Sequence, residues 1–262
     1  MHRKTWIAAA VLLIGLAAGM GFAQSSPSGQ EVMTRVHERP QPVDVSGSLT
    51  MTLENSRGDR RVRSVEQYAA RFGDVEKKLL VFTAPADVRD TAFMNWTYDD
   101  PRRQDDQWIY LPALRSVRRI SAERKSDSFM GSDFSYDDLG ERHPDLDTHR
   151  LVGTETIDGR TVYVVESVPR DGSSAYAYTR SWVADEIWIG LRREFYGASD
   201  IHLKTLTIDD YGEVDGFWTI ERMTMRNEQS GHSTTMELSN LRFDTGIPEH
   251  TFTERTMTRG VR

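Results

Sequence analysis

The feature that most constrains this chain is a change of period. From residue 49 onward apolar residues recur at every second position, as they do in strands whose two faces meet different surroundings. Leu49, Met51 and Leu53 alternate with Thr50 and Thr52. Residues 61–72 return as a long strand, although 64–72 also fit a helical pattern, and residues 78–83 form a strand stopped by Pro85. Trp108 and Tyr110 fall on one face of a strand, with Ile109 and Leu111 on the other. Pro112 ends it, having no N–H to give a ladder. A short strand over 117–120 carries Arg118 and Arg119. The second half repeats the design. A hairpin over 153–168 turns at Asp158-Gly159, and strands follow at 176–183, 186–196, 203–211, 217–227 and 233–243. Met223 and Met225 lie opposite Ile220 in the penultimate one. This predicts a mainly β chain of about ten or eleven antiparallel strands. Helical spacing is confined to 30–38, where Val32, Met33 and Val36 share a face, and to a weaker stretch at 122–127.

A sheet with one apolar face must cover it. One or two helices are few for that many strands. The pattern therefore implies either an apolar hollow open to a ligand or a misreading of which side chains face inward. No cysteine is present, so neither a disulfide nor a lipid-bearing cysteine is available, and packing alone must supply stability.

The start of the chain points to export. His2, Arg3 and Lys4 precede an apolar run over 6–18, and Gly21-Phe22-Ala23 offers small residues at the cleavage positions. The expected organisation is a signal peptide at 1–23, a polar linker at 24–29 and one domain at 30–262. The apolar run is short for a membrane span, so the expected product is exported and not membrane-spanning after cleavage. Loss of Arg3 and Lys4 takes the formal charge from −7 to −9. That argues against a nucleic-acid partner, which needs a basic patch.

Residues 108–139, WIYLPALRSVRRISAERKSDSFMGSDFSYDDL, mix aromatic, basic and acidic groups too densely for an ordinary loop. In the second part Ser126, Asp127, Gly131, Asp133, Asp137 and Asp138 are interleaved with Phe129, Met130, Phe134 and Tyr136. The pattern suits a segment lying across an apolar opening, rings inward and acids clamped outside. Three roles stay open for the acids: a paired-carboxylate hydrolytic site, local bonds to backbone N–H groups, or carboxylate–guanidinium clamps with Arg115, Arg118, Arg119 or Arg124. Trp96, Trp108 and Trp182 are core residues or pocket walls. Methionines such as Met223 and Met225 either line an adaptable cavity or fill core gaps.

Catalytic signatures are missing from the sequence. There is no G-x-S-x-G elbow, no P-loop and no H-E-x-x-H, and Asp145-Leu146-Asp147 lacks the later residues of a calcium loop. No metal, cofactor or enzymatic activity is expected.

Residues 108–139 closely resemble the signature of the outer-membrane lipoprotein-sorting proteins, relatives of LolA. EVMTRVHERP, LTMTLENSRGDRRVR, LLVFTAPADVRDTAFMNWTYDD, SWVADEIWIGLRREFY and LKTLTIDDY resemble the same family, so the likeness covers nearly all of the chain after residue 29. Two positions depart from it: Asp90 stands where a glycine is expected, and Gly197 where an acid is. The resemblance implies an incomplete antiparallel half-barrel with helices over its concave face. It also implies the periplasm as location and a carrier whose partners are lipid or lipoprotein acyl chains, with a link to a resistance-nodulation-division-type exporter. The implied lining or rim residues are Trp96, Trp108, Tyr110, Phe129, Met130, Phe134, Tyr136, Trp182, Met223 and Met225. The alternative is a periplasmic scaffold or exporter subunit whose sheet is filled by its own side chains.

Overall fold

The structure is a computed structural model and describes residues 26–170, 172 and 174–261. The expected signal peptide lies outside the described residues, as do Gln24 and Ser25 of the expected linker.

Helix α1 (Gly29–His37) begins where the sequence places it. Ser28 and Glu31 form a reciprocal capping box: the Glu31 N–H donates to Ser28 Oγ (3.2 Å) and the Ser28 N–H to Glu31 Oε2 (2.7 Å). The strands are β1 (Asp44–Glu54), β2 (Arg60–Phe72), β3 (Val75–Ala84), β4 (Ala92–Tyr98), β5 (Asp106–Leu111), β6 (Ser116–Arg119) and β7 (Asp147–Ile157). They continue as β8 (Arg160–Pro169), β9 (Tyr178–Ala184), β10 (Gly190–Tyr196), β11 (His202–Val214), β12 (Phe217–Asn227) and β13 (Ser233–Phe243). All belong to one open antiparallel sheet of 13 strands, ordered β6-β5-β4-β3-β2-β1-β13-β12-β11-β10-β9-β8-β7. It curves as an incomplete barrel and does not close.

The count exceeds the expected ten or eleven, and the strand that the sequence pattern leaves unmarked is β4. Four successive residues there, Ala92 to Asn95, are buried, so no alternation marks the strand. The ambiguous stretch 64–72 is strand, hydrogen-bonded to β1 on one side and β3 on the other. The β7–β8 turn is Asp158-Gly159, both at positive φ (50° and 77°), as a two-residue hairpin of this hand requires.

This order has one large consequence. Each half of the chain is a meander, and the halves join through β1 and β13. The sheet edges are therefore β6 and β7, which are consecutive in sequence. With neighbouring strands about 4.8 Å apart, the path between the edges along the sheet is about 58 Å. Residues 120–146 make this crossing over the inner, concave face as a strap of short 3₁₀ turns.

Inner-face packing is centred on the strap. Phe129 and Phe134, 0% and 3% exposed, meet Leu49, Met51, Phe82, Phe93, Met225 and Met236 from five strands. Phe129 lies 5.2 Å from Phe93 and 5.9 Å from Phe82, ring centre to ring centre. Beside the strap, α1 buries Val32 and Met33 against Val165 and Val183. Gly29 permits this docking, because a Cβ there would sit 2.7 Å from the backbone of Arg150 and Leu151.

The outer face of β2–β5 is covered by the C-terminal segment, including a helix that the sequence pattern does not announce, α2 (Glu254–Arg259). Phe252 and Met257 pack on Ala70, Leu79, Ala92 and Met94. Asp44 ties the segment down, accepting N–H bonds from Thr245 (2.9 Å), Gly246 (2.8 Å) and Ile247 (3.2 Å). Burial opposes ionisation of this carboxyl, but those bonds overcome it and hold its pKa below the usual carboxylate value.

The Phe129 ring is packed from several strands at once, so truncating it leaves a cavity that cannot easily collapse. Phe129→Ala should lower unfolding free energy by about 3–5 kcal/mol, measured by urea denaturation. An unchanged midpoint would show that the strap does not contribute to the core.

Candidate ligand-binding face

The centre of the strap is a small knob. Ser128 and Ser135 form an antiparallel bridge, and the Phe129 N–H donates to Phe134 O (2.8 Å). The tip turns through Met130 and Gly131 at φ 52° and 75°, which glycine accepts without strain and methionine does not. The two phenyl rings are thus presented side by side to the sheet.

Polar bonds hold the knob on several strands. Arg63 Nη1 on β2 donates to Met130 O (2.6 Å), and Gln107 Nε2 on β5 to Tyr136 O (2.9 Å). Asp133 is buried and faces inward. Its Oδ2 accepts from Thr234 Oγ1 (2.7 Å) and lies 2.6 Å from His232 Nδ1, while its N–H donates to Thr234 Oγ1 (3.0 Å). The expectation that the acids lie clamped outside is therefore corrected at Asp133. It is drawn inward because β13 places a hydroxyl on the inner face at position 234, where it satisfies both the carboxylate and the backbone N–H.

Asp138 caps its own turn, accepting from the Ser135 N–H (2.7 Å), and also meets Tyr176 Oη (3.0 Å) and Lys204 Nζ (3.3 Å). Burial, reinforced by this carboxylate, pushes the Tyr176 phenol pKa up. Asp127 pairs with Arg124 on the exposed surface (3.0 Å). Arg119 pairs with Asp106, and both Arg118 and Arg119 are exposed on edge strand β6. Ser126 and Gly131 are exposed, and Asp137 faces a cavity described below. The acids thus make local caps and cross-strand bonds. Of the four carboxylates expected to be clamped, Asp127 pairs with one of the four named guanidinium groups, that of Arg124.

The residues expected to line or rim one hollow divide between two faces. Phe129, Met130, Phe134, Tyr136, Met223 and Met225 belong to the inner cluster. Trp96, Trp108 and Tyr110 lie on the outer face under the C-terminal segment. Trp182 is also outer, in a separate cluster, with its Nε1 donating to Glu155 Oε2 (3.0 Å). Strand parity separates Trp108 from Phe93 although both sit on neighbouring strands, because Phe93 pairs with Ile109 and Trp108 with Met94.

Each face keeps one notable space. On the inner face a cavity of about 240 Å3 runs between α1, the strap and β7–β12, with Met33, Phe134, Phe195, Leu206 and Met225 among its walls. Polar groups line it too, including Asp137, His149 and Arg193. On the outer face a more open space of about 510 Å3 lies between Met94, Trp96, Trp108 and Phe252. Lys77 closes its end, 4.0 Å from the Trp96 ring centre and 2.6 Å from Glu249 Oε1. Among the described residues no cluster of three or more metal-binding side chains occurs, and no helix is long and apolar enough to cross a membrane.

Several partners are not marked by any sequence pattern: Arg63, Gln107, Tyr176, Arg193, Lys204, His232 and Thr234. For Arg193 a signal existed. Arg192 and Arg193 are adjacent within a strand, so one of them must point to each face.

A family model described as "Uncharacterized protein" matches residues 74–259. A DUF1329 family protein from Desulfovibrio piger is 32% identical with a TM-score of 0.83, the match covering 87% of this chain and 97% of that one. A putative outer membrane lipoprotein-sorting protein domain from Vibrio parahaemolyticus is 35% identical with a TM-score of 0.82, covering 88% and 98%. A LolA superfamily protein from Nitrosomonas europaea, 19% identical with a TM-score of 0.68 over 88% and 99%, shares the fold. No curated protein matches the chain. The chain belongs to the LolA-like family that these DUF1329 and lipoprotein-sorting relatives define.

His149 supplies a test of the inner-cavity wall. Its Nε2 donates to Pro144 O (2.8 Å) and its Nδ1 faces Ser167 Oγ (2.7 Å), an arrangement that suits the neutral ring. Burial holds its pKa below the usual histidine value. The unfolded chain therefore takes up a proton first as pH falls through about 6.5, and the folded state loses stability there. Denaturant titrations from pH 8 to pH 5 should show a fall that His149→Gln makes shallower. Parallel curves would contradict the assigned neutral ring.

Proposed function

We propose that this chain is a periplasmic carrier of lipid or lipoprotein acyl chains. The observation that carries the reading is the family half-barrel fold with an inner cavity walled by Phe134, Phe195, Leu206 and Met225; the Phe129–Phe134 knob fills the centre of the concave face, where the sequence pattern implies an open hollow. With the knob seated, its rings take the space that cargo would take. The remaining inner cavity, about 240 Å3, falls below the usual range of about 300–1,000 Å3 for ligand pockets. Cargo binding therefore requires the knob to leave the inner cluster. Each acyl methylene removed from water contributes about 0.8 kcal/mol, so a long or double chain supplies enough to replace two buried rings. Both members of the exchange are apolar, and their binding needs few directional contacts. Met130, Met223, Met225 and Met236 around the knob support this, since unbranched thioether side chains repack around different shapes.

The reading has no catalytic step. The carboxylates of Asp133 and Asp138 are engaged with different partners on different strands, which is a structural use of acids. A periplasmic location agrees with the exported character of residues 1–23, and an exporter of the resistance-nodulation-division type is a candidate donor or acceptor of cargo. The second reading, a non-transporting periplasmic scaffold or exporter subunit, is favoured by one specific observation: Phe129 and Phe134 are 0% and 3% exposed, packed on side chains of the concave face.

Mass spectrometry of natively purified protein decides between them. The carrier should retain lipid and, after delipidation, should bind a fluorescent fatty acid with saturable stoichiometry. Protein that carries no lipid and refuses the probe, but co-purifies with an exporter, would establish the scaffold instead.

A further inference from the structure

The inner cavity contains a cation that the fold leaves without a counter-charge at bonding distance. Arg193 stands on the inner face of β10, opposite Leu206 of β11 and two residues from Phe195. Its Nε donates to Ser181 Oγ (3.0 Å), and among the described residues no carboxylate bonds its guanidinium. Asp137 and Glu141 also line the cavity, but the two acids that act on Arg193 electrostatically, Asp147 and Asp138, bond other groups. Asp147 holds Arg142, its Oδ1 2.8 Å from Nε and 2.7 Å from Nη2. Asp138 accepts from Ser135, Tyr176 and Lys204. Burial pushes the Arg193 pKa below its usual value, as expected for a guanidinium withdrawn from water with no bonded anion. The side chain stays protonated. Half withdrawn from water and with no bonded anion, the guanidinium gains from an anion bound beside it.

We infer that Arg193 is the head-group subsite of the inner cavity, taking the oxyanion of an amphiphile whose hydrocarbon lies along Phe134, Phe195 and Met225. The inference rests on the carrier reading and adds the polarity of the cargo to it. A planar guanidinium fork pairs with a carboxylate or phosphate through two parallel N–H bonds. The three apolar residues share the cavity with it. The small volume suits a head group and its first methylenes while the knob is seated, so the oxyanion docks before the chain displaces Phe129. A fatty-acid carboxylate and a lipid phosphate offer the same chemistry, and the experiment separates them.

Isothermal titration of the full chain with dodecanoate, dodecyl phosphate, methyl dodecanoate and dodecyltrimethylammonium tests this. At least one of the two anions should bind about tenfold or more tightly than the ester and the cation, as charge-assisted bonds to a half-buried guanidinium allow. The tighter anion names the source. Arg193→Gln should reduce that preference to less than about twofold, the loss expected when the fork is removed, and Arg193→Lys should retain part of it. Equal binding of acid and ester by the unaltered chain, or a preference that survives Arg193→Gln, overturns the inference and leaves the carrier reading standing. Binding of none of the four probes ends both. Should circular dichroism show Arg193→Gln unfolded, Arg193→Lys and the unaltered chain's own choice between acid and ester decide the matter by the same criteria.

Discussion

The seating of Phe129 and Phe134 on the concave face governs much else in this molecule. Their rings join β1, β3, β4, β12 and β13 into one cluster, so both meanders of the sheet depend on a segment that belongs to neither. Without the knob the inner face of the half-barrel would present a wide apolar surface to water, at about 25 cal/mol for each Å2 left uncovered. The strap solves a problem created by the topology. An open sheet with consecutive strands at its two edges needs a long return connection, and that connection is the material at hand to cover the face.

The same geometry explains the mixed chemistry of residues 120–146. Rings alone would hold the strap without fixing its register, because hydrophobic burial is non-directional. The polar groups provide direction: Arg63 to Met130, Gln107 to Tyr136, Thr234 and His232 to Asp133, and Lys204 to Asp138. These bonds are spread over the sheet and each contributes modestly on net. A segment held by many small bonds and two large rings is one that an apolar competitor can displace without unfolding the strands beneath it, whose ladders are independent of the strap.

Most of the fold was legible in the sequence because a half-covered sheet writes itself as period two. The alternation in β1, β12 and β13 sorted Leu49, Met51, Met223, Met225 and Met236 onto one face correctly, and the Asp158-Gly159 turn was explicit. β4 was illegible for the opposite reason. It is covered by the strap on one side and by the C-terminal segment on the other, so its sequence shows no period. That second cover was also unreadable. Residues 244–261 contain no strong apolar pattern, and Phe252, Met257 and the partly buried Ile247 supply their apolar contacts with the outer face. The candidate lining was half legible. Parity within a strand separates Trp108 from Ile109, but which parity is inner depends on the strap's destination, and a single strand cannot state it. Asp133 was misplaced for a related reason, since its partners at 232 and 234 lie about a hundred residues away and meet it only through the sheet order.

Hydrogen–deuterium exchange across residues 120–146, with and without saturating fluorescent fatty acid, tests the central claim most directly. The account predicts that backbone amides from 128 to 136 lose protection when the acyl chain binds, while those of β1, β12 and β13 keep theirs. Unchanged or increased protection of the knob in the saturated protein would contradict it, because cargo would then occupy the molecule without taking the place of Phe129 and Phe134.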